Sequence, residues 1–291
     1  MKDKNKKLVH SCIIVLGILL WGIIVTIVIL STKHFTNKVI GKEQSINQFN
    51  LLLHSNDVIK WSDQGFENVI RSILNKPKGD ITIGDCRKIH KIINNNQQIT
   101  NLKEIKYFPN LQVLVLGKGN ISDITPLNNL KKLKLLIINN NSIRDITPLL
   151  HLTLLETLDL SNNEISDITP ITNLTFLKSL SLSNNEISDI TPITNLTFLK
   201  NLNLSNNQIN NITAISKLEK IETLWLDNNS INDITPVSKL NNLVSLGASN
   251  NKIRNIVSIS SLNKLDIVFL DNNPIDNWEP VSNISIVIGR P

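Results

Sequence analysis

The chain has 291 residues, of which 41% are hydrophobic and 19% charged, and its formal net charge at pH 7 is +6. Much of the net positive charge lies near the N-terminus, because few acidic residues offset the lysines there. No basic stripe interleaved with aromatic residues follows it, so the composition argues against a nucleic-acid-binding protein.

The N-terminal segment has the pattern of a membrane anchor. Residues 1–8 form a basic flank with four lysines, and residues 9–31 are apolar without a charged side chain. As a helix, their densest part (13–30) would span about 27 Å, close to the hydrocarbon thickness of about 30 Å. A cleavable signal peptide is the alternative, but its apolar core is usually shorter and ends at an Ala-x-Ala-like site. We therefore expect an uncleaved transmembrane signal anchor in the cell membrane, with the rest of the chain on the extracytoplasmic face.

A spacer and a small helical region follow. Residues 32–56 have no strong period and are expected to form a juxtamembrane spacer, whereas residues 57–93 have a helical pattern. One apolar stripe lies at i, i+3, i+4, i+7 and i+8: Phe66, Val69, Ile70, Ile73 and Leu74. A second short helix is expected to begin near residues 83–85 and to bury Ile89, Ile92 and Ile93. We predict that this region is an N-terminal cap, because a solenoid needs its first repeat covered.

Residues 94–291 follow a 22-residue register. Residues 161–178 and 183–200 are identical, and the same pattern continues on both sides. Such self-similarity is typical of a solenoid, and the pattern L-x-x-L-x-L-x-x-N-x-I is that of the leucine-rich repeat. Burial of the apolar side chains of a single unit cannot offset the conformational entropy lost on ordering about 22 residues, which costs about 1.5 kcal/mol each. We therefore predict an α/β solenoid of stacked units, with a parallel β-sheet on the concave side and 3₁₀ turns on the convex side.

The polar residues of each unit have predicted structural roles. The Leu-x-Leu segment predicts a strand, and the asparagine after it predicts a turn, because its amide both donates and accepts hydrogen bonds. A recurring Thr-Pro pair predicts a 3₁₀ turn with threonine as N-cap and proline at N1. The aspartates before these pairs are interpreted as turn-stabilising, with a calcium ladder as the alternative. This aspartate column consists of Asp123, Asp145, Asp167, Asp189 and Asp233.

The last unit departs from the pattern. Trp278 takes the place of an isoleucine, and Ile284, Val287 and Ile288 follow before the sequence ends. These residues predict a C-terminal cap on the exposed end of the core.

The chain resembles bacterial surface leucine-rich repeat proteins of the internalin type, in which a helical cap precedes 22-residue repeats. The resemblance is carried by residues 66–77 and 79–82 in the cap and by Ile-Ser-Asp-Ile-Thr-Pro-Leu/Ile in the repeats (121–127 and 165–171). It implies an extracytoplasmic binding module. The sequence has no Leu-Pro-x-Thr-Gly sorting motif, so the N-terminal helix is expected to serve as the anchor.

The sequence shows no catalytic chemistry. Its five histidines are scattered without metal-ligand spacing, and no serine lies in a G-x-S-x-G motif. Cys12 lies in the membrane flank, so a disulfide with Cys86 is not expected, and Cys86 is interpreted as a buried small hydrophobic residue. We expect no catalytic residue, cofactor, metal or small-molecule substrate, and instead a protein or peptide partner.

The candidate binding surface lies on the concave face near the C-terminus. Trp225 and Phe269 are expected about 10 Å apart, two strands from each other, with Gly247 leaving a gap between them. Asp227, Ile267 and Asp271 border this predicted cleft, which would form a partner-binding site. A patch of Val113, Val115, Leu135 and Ile137 is a second candidate, although docking of the N-terminal cap is the favoured interpretation. The alternative function is a scaffold in the cell envelope that contacts peptidoglycan or a membrane complex.

Overall fold

The computed structural model describes residues 55–94 and 99–290, and the described residues from 57 onward form one compact unit. The predicted basic flank (1–8), the membrane anchor (9–31) and all but two residues of the spacer (32–56) lie outside the described residues. Within the described ranges, no helix has the length and hydrophobicity needed to cross a membrane.

The repeats form one parallel sheet, in which the described residues contribute ten strands in chain order. Neighbouring strands are in register, so that Leu158 pairs with Leu180 and Leu180 with Leu202. These leucines point into the core and the residues on either side of them face outward, as the alternation of a strand requires. The strands are β1 (Lys91–Asn94), β2 (Val113–Leu116), β3 (Leu135–Ile137), β4 (Thr157–Asp159), β5 (Ser179–Ser181), β6 (Asn201–Asn203), β7 (Thr223–Trp225), β8 (Ser245–Gly247), β9 (Ile267–Phe269) and β10 (Ile286–Ile288).

The opposite side of each repeat is a short 3₁₀ turn, as predicted. The turns in the described residues are Lys103–Tyr107, Thr125–Asn129, Thr147–Leu149, Thr169–Ile171, Thr191–Asn195, Thr213–Lys217, Thr235–Lys239, Val257–Ser261 and Glu279–Val281. Between these turns and the sheet lies a continuous core of isoleucine and leucine, including Ile168, Ile171 and Leu174, each at most 1% exposed.

The prediction that threonine caps the 3₁₀ turns is wrong. The turn beginning at Thr169 has Ile168 as its N-cap, without a side-chain capping bond. The capping acceptor is instead Asp167, whose Oδ1 accepts the Thr169 N–H at 2.8 Å. Because threonine is the first residue of the turn, its own N–H is one of the groups that need an acceptor. The same contact recurs along the whole aspartate column.

The asparagines connect neighbouring repeats, as their amide chemistry predicts. Asn185 Oδ1 accepts the Ile165 N–H at 3.0 Å, and its Nδ2 donates to the carbonyls of Leu160 and Leu182. The preceding Asn184 has a left-handed backbone with φ of 56°, a conformation that asparagine tolerates well. The two asparagines thus have different roles. The first turns the chain, and the second satisfies the backbone hydrogen-bonding groups of the buried turn.

The N-terminal region forms the predicted helical cap. It contains α1 (Gln64–Leu74) and α2 (Ile83–Cys86). Phe66 of α1 packs on Phe108 of the first repeat, with ring centroids 5.9 Å apart, and so covers the end of the core. Asp63 caps α1 through the Phe66 N–H and also accepts the Thr100 N–H at 2.7 Å, which ties the cap to the repeats.

One expectation for the cap, the burial of Ile93, is wrong. Ile93 is 42% exposed, because residues 91–94 are a strand whose alternate side chains face the solvent. Ile73, in the last turn of α1, is also exposed at 41%, whereas Phe66, Val69 and Ile70 of the same stripe are buried. The first strand of the sheet therefore begins at Lys91, before the expected start of the repeats at residue 94.

The prediction for the C-terminal unit is confirmed for three of its apolar residues and wrong for the fourth. Trp278, Ile284 and Val287 are partly buried against it. Ile288 is instead 42% exposed. Val287 pairs with Val268, which lies nineteen rather than twenty-two residues earlier, so the last repeat is shortened before its strand. This shortening turns Ile288 onto the concave face.

Candidate functional site

The predicted site residues come together on the concave face of the last strands. Trp225, Gly247 and Phe269 are paired in register across β7, β8 and β9. Both aromatic side chains are partly exposed, as expected for concave positions.

The expected open cleft between the two rings does not exist. The ring centroids of Trp225 and Phe269 are 5.6 Å apart with an interplanar angle of 48°. Strand spacing separates their backbones by about 10 Å, but the indole leans across Gly247 to close this distance. A Cβ built on Gly247 would collide with Trp225 Cε3 and approach Asp227 Oδ2 to 2.5 Å. Glycine therefore makes room for the ring pair rather than for a ligand.

The two acids beside the rings are held in place by serines. Asp227 Oδ1 accepts the Ser249 N–H at 2.8 Å, and its Oδ2 accepts the Ser205 hydroxyl at 3.3 Å. The Ser249 hydroxyl donates to Asp271 Oδ2 at 3.1 Å. Ser249 thus fixes both carboxylates, a role that sequence reasoning missed although the residue lies between them in the same repeat column.

The apolar surface around these rings is larger than predicted because β10 adds two apolar residues. Ile286 pairs with Ile267, and Ile288 pairs with Phe269. Ile286 and Ile288 are 45% and 42% exposed. A strict 22-residue register places Gly289 rather than Ile286 opposite Ile267, so the shortening of the last repeat hid these residues. We call the set the C-terminal pad: Trp225, Ile267, Phe269, Ile286 and Ile288.

A second apolar surface lies at the other end of the concave face. Ile93, Val115 and Ile137 are in register across β1 to β3, and Val113 pairs with Leu135. We call these five residues the N-terminal pad. The favoured interpretation, that the N-terminal cap docks on this patch, is wrong for the described cap, because α1 packs on Phe108 at the end of the core instead. Ile93 stays 42% exposed and the other four are partly exposed.

Small polar side chains separate the two pads. Strands β5 and β6 present Ser179, Ser181, Asn201 and Asn203, as the sequence predicts. The concave face therefore has two apolar ends and a polar middle.

The convex side carries the aspartate column, whose role is structural in the described residues. Hydrogen bonds from the hydroxyl and N–H of the following threonine hold the pKa of each of these carboxyls below its usual value. In residues 55–94 and 99–290, no group of three or more His, Cys, Asp or Glu side chains is placed to hold a metal ion.

Comparison with known proteins places these repeats in a family. The family model described as leucine-rich repeats (2 copies) matches residues 131–174, 153–195 and 197–239. An internalin of Listeria monocytogenes, InlF, is 33% identical with a TM-score of 0.76, over 78% of this chain and 68% of InlF. Internalin C2 of the same organism is also 33% identical with a TM-score of 0.70, over 72% of this chain and 93% of internalin C2. The chain belongs to the internalin family.

Similarity of the internalin repeats extends beyond bacteria. The ectodomain of the Arabidopsis thaliana membrane receptor kinase GASSHO1/SCHENGEN3, in complex with Casparian strip integrity factor 2, is 26% identical with a TM-score of 0.64. The match covers 72% of this internalin-family chain and 28% of the receptor. No curated protein sequence matches the chain.

Proposed function

We propose that the repeats bind a protein or peptide partner on their concave face, without catalysis, and that the C-terminal pad is the main contact. The observation that carries this proposal is the contact between Trp225 and Phe269, two large aromatic side chains left partly exposed on the concave face. Exposed aromatic clusters of this kind are typical of binding hot spots. The plant receptor ectodomain, whose fold resembles this one, is itself in complex with Casparian strip integrity factor 2.

The chemistry of the pad indicates the kind of partner. Its rings and isoleucines would bury apolar side chains of the partner. Asp227 and Asp271 at its border would attract a basic group or accept hydrogen bonds from its backbone. A partner that also contacts the N-terminal pad would cross four strand spacings from β3 to β7, about 19 Å.

The test is capture of partners from cell-envelope extracts by the full-length chain in mild detergent, with the captured proteins identified and then purified for direct binding. The double variant Trp225→Ser/Phe269→Ser is expected to bind the partner more weakly, with a Kd raised at least about tenfold. Val257→Ser is the matched control, because Val257 is 59% exposed but lies in a convex 3₁₀ turn. Its binding should equal that of the wild type.

A second variant tests the packing of the pad rather than its composition. Gly247→Ala keeps both rings but forces Trp225 to move, at a stability cost of about 1–3 kcal/mol. Binding should weaken as in the double serine variant. Equal capture by all variants would reject the concave pad and favour the envelope scaffold.

We also propose that residues 9–31 anchor the chain in the cell membrane with the repeats outside. The uncharged apolar stretch and the lysines before it support this arrangement. Alkaline carbonate should leave the chain in the membrane pellet, and protease added to intact cells with a permeable wall should remove the repeats. Release by carbonate would refute the anchor, and protection from the protease would refute the orientation.

A further inference from the structure

A row of large apolar side chains lies exposed on one side of the solenoid, away from the concave face. Leu154, Phe176 and Phe198 are 44%, 55% and 46% exposed. Each occupies the same position of its repeat, in the turn that leads from the 3₁₀ helix into the strand. We call these three residues the lateral ridge.

The repeats fix the spacing of the ridge. The backbones two residues after the ridge positions are hydrogen-bonded from one repeat to the next. The Lys178 N–H donates to the Glu156 carbonyl and the Lys200 N–H donates to the Lys178 carbonyl, both at 2.8 Å. The ridge side chains therefore follow each other at about the strand spacing of 4.8 Å. One turn of an α-helix rises about 5.4 Å, so apolar residues at i, i+4 and i+7 of a helix would meet the three members in turn.

Basic residues stand at both ends of the ridge. Lys132 precedes Leu154 by one repeat, and Lys220 follows Phe198 with its Nζ 3.8 Å from the ring centroid. Lys132 donates to the neutral amide of Asn110 at 2.7 Å. These contacts of both lysine side chains are with uncharged groups, which leaves their ammonium groups able to pair with an acidic partner. Four repeats separate them, about 19 Å, which corresponds to about 13 residues of helix.

Two of the three glutamates near the ridge form ion pairs with lysines. Glu156 pairs with Lys178 at 2.6 Å, and Glu222 pairs with Lys200 at 2.7 Å. Glu219 neighbours Lys220 and offsets part of its charge, whereas Lys131 reinforces Lys132. The end of the ridge near Lys132 is therefore the more strongly basic one.

This charge pattern selects one class of partner. A second copy of the chain, paired across a two-fold axis, would set Lys132 against Lys220 or each lysine against itself, which is repulsive. An anionic membrane would also attract these lysines, but a fluid lipid surface makes no use of the regular spacing of the ridge. A helix with acidic residues at its ends matches this spacing and satisfies both lysines.

We propose that the lateral ridge binds an amphipathic α-helix of another protein, with apolar residues facing Leu154, Phe176 and Phe198 and acidic residues facing Lys132 and Lys220. This contact is separate from the concave-face site, so that one solenoid holds two partners.

The test uses a fluorescein-labelled helical peptide of about 16 residues, with leucines at i, i+4 and i+7 and glutamates in its first and last turns. A second peptide carries lysines in place of the glutamates. Fluorescence anisotropy is measured on the full-length chain in nanodiscs of neutral lipid, with empty nanodiscs subtracted. The wild type should bind the glutamate peptide at least about tenfold more tightly than the lysine peptide.

Two variants and one control identify the surface. Phe176→Ser with Phe198→Ser should lose at least about tenfold in affinity, and Lys132→Glu with Lys220→Glu should reverse the preference between the peptides. Val257→Ser should bind as the wild type does. The charge-reversal variant changes only exposed side chains, so its result stands even if the serine variant is destabilised.

Several outcomes would overturn the proposal. They are no binding of either peptide, equal binding of both, or an unchanged preference after charge reversal. Ridge-dependent attachment of the same nanodiscs to phosphatidylglycerol vesicles, without peptide discrimination, would assign the ridge to a membrane surface. Ridge-dependent dimers in sedimentation would assign it to self-association. Loss of the concave-face partner leaves all these readouts unchanged, because the ridge lies on a different side of the repeats.

Discussion

Replacement of Asn185 by alanine should cost far more stability than its side-chain volume suggests. The amide is 9% exposed, accepts the Ile165 N–H at 3.0 Å and donates to carbonyls of two repeats. A buried N–H left without an acceptor costs about 1–3 kcal/mol, and the lost bonds to carbonyls add about 1 kcal/mol. The free energy of unfolding should therefore fall by about 2–4 kcal/mol. With a urea m-value of about 2–3 kcal/mol per M, the unfolding midpoint should fall by roughly 1 M.

The neighbouring asparagine supplies the control. Asn184 is exposed, and its left-handed φ of 56° is one that glycine adopts without strain. Asn184→Gly should change stability by no more than about 0.5 kcal/mol. Equilibrium urea unfolding of the full chain in mild detergent, followed by far-ultraviolet circular dichroism, measures both variants. If Asn185→Ala costs no more than Asn184→Gly, the turn does not depend on these hydrogen bonds and our reasoning is refuted.

Two further predictions concern titratable groups. Because threonine hydrogen bonds lower the folded pKa of the aspartate column, their stabilisation is complete above the usual value of 3.8 and is lost as the pH falls through the folded values. Changing all five to asparagine, which already caps the equivalent turn at Asn211, should flatten the fall in melting temperature below pH 4; an unchanged slope would contradict this assignment. Burial, and then the charge of Asp85, raise the pKa of the Cys86 thiol to about 12. In a Cys12→Ser background Cys86 should therefore react with a thiol reagent at pH 8 only on unfolding, and rapid native labelling would count against its burial.

The repetitive part of the fold was predictable because each position repeats its environment. The apolar columns, the turn asparagines and the convex 3₁₀ turns follow directly from residue chemistry at fixed spacing. Threonine was assigned the wrong role because Asp and Thr are both good caps, and only the start of the turn decides which side chain accepts the N–H. The aspartate two residues before the turn carries that role.

The candidate site was predictable in position but not in shape. The column of Trp225, Gly247 and Phe269 follows from the register, whereas the lean of the indole over Gly247 depends on side-chain packing that spacing does not contain. Ile286 and Ile288 were missed because the last repeat loses three residues before its strand. Such an irregularity is visible only when the strand pairing is known.

The identity of residues 161–178 and 183–200 makes the length of the concave face adjustable in fixed increments. Loss of residues 161–182 would join residue 160 to the second copy of the same sequence, so that the new junction is one the chain already has. The two apolar pads would keep their composition but move closer by one strand spacing, about 4.8 Å. If the proposed partner contacts both pads, the number of middle repeats would set the distance that it must span.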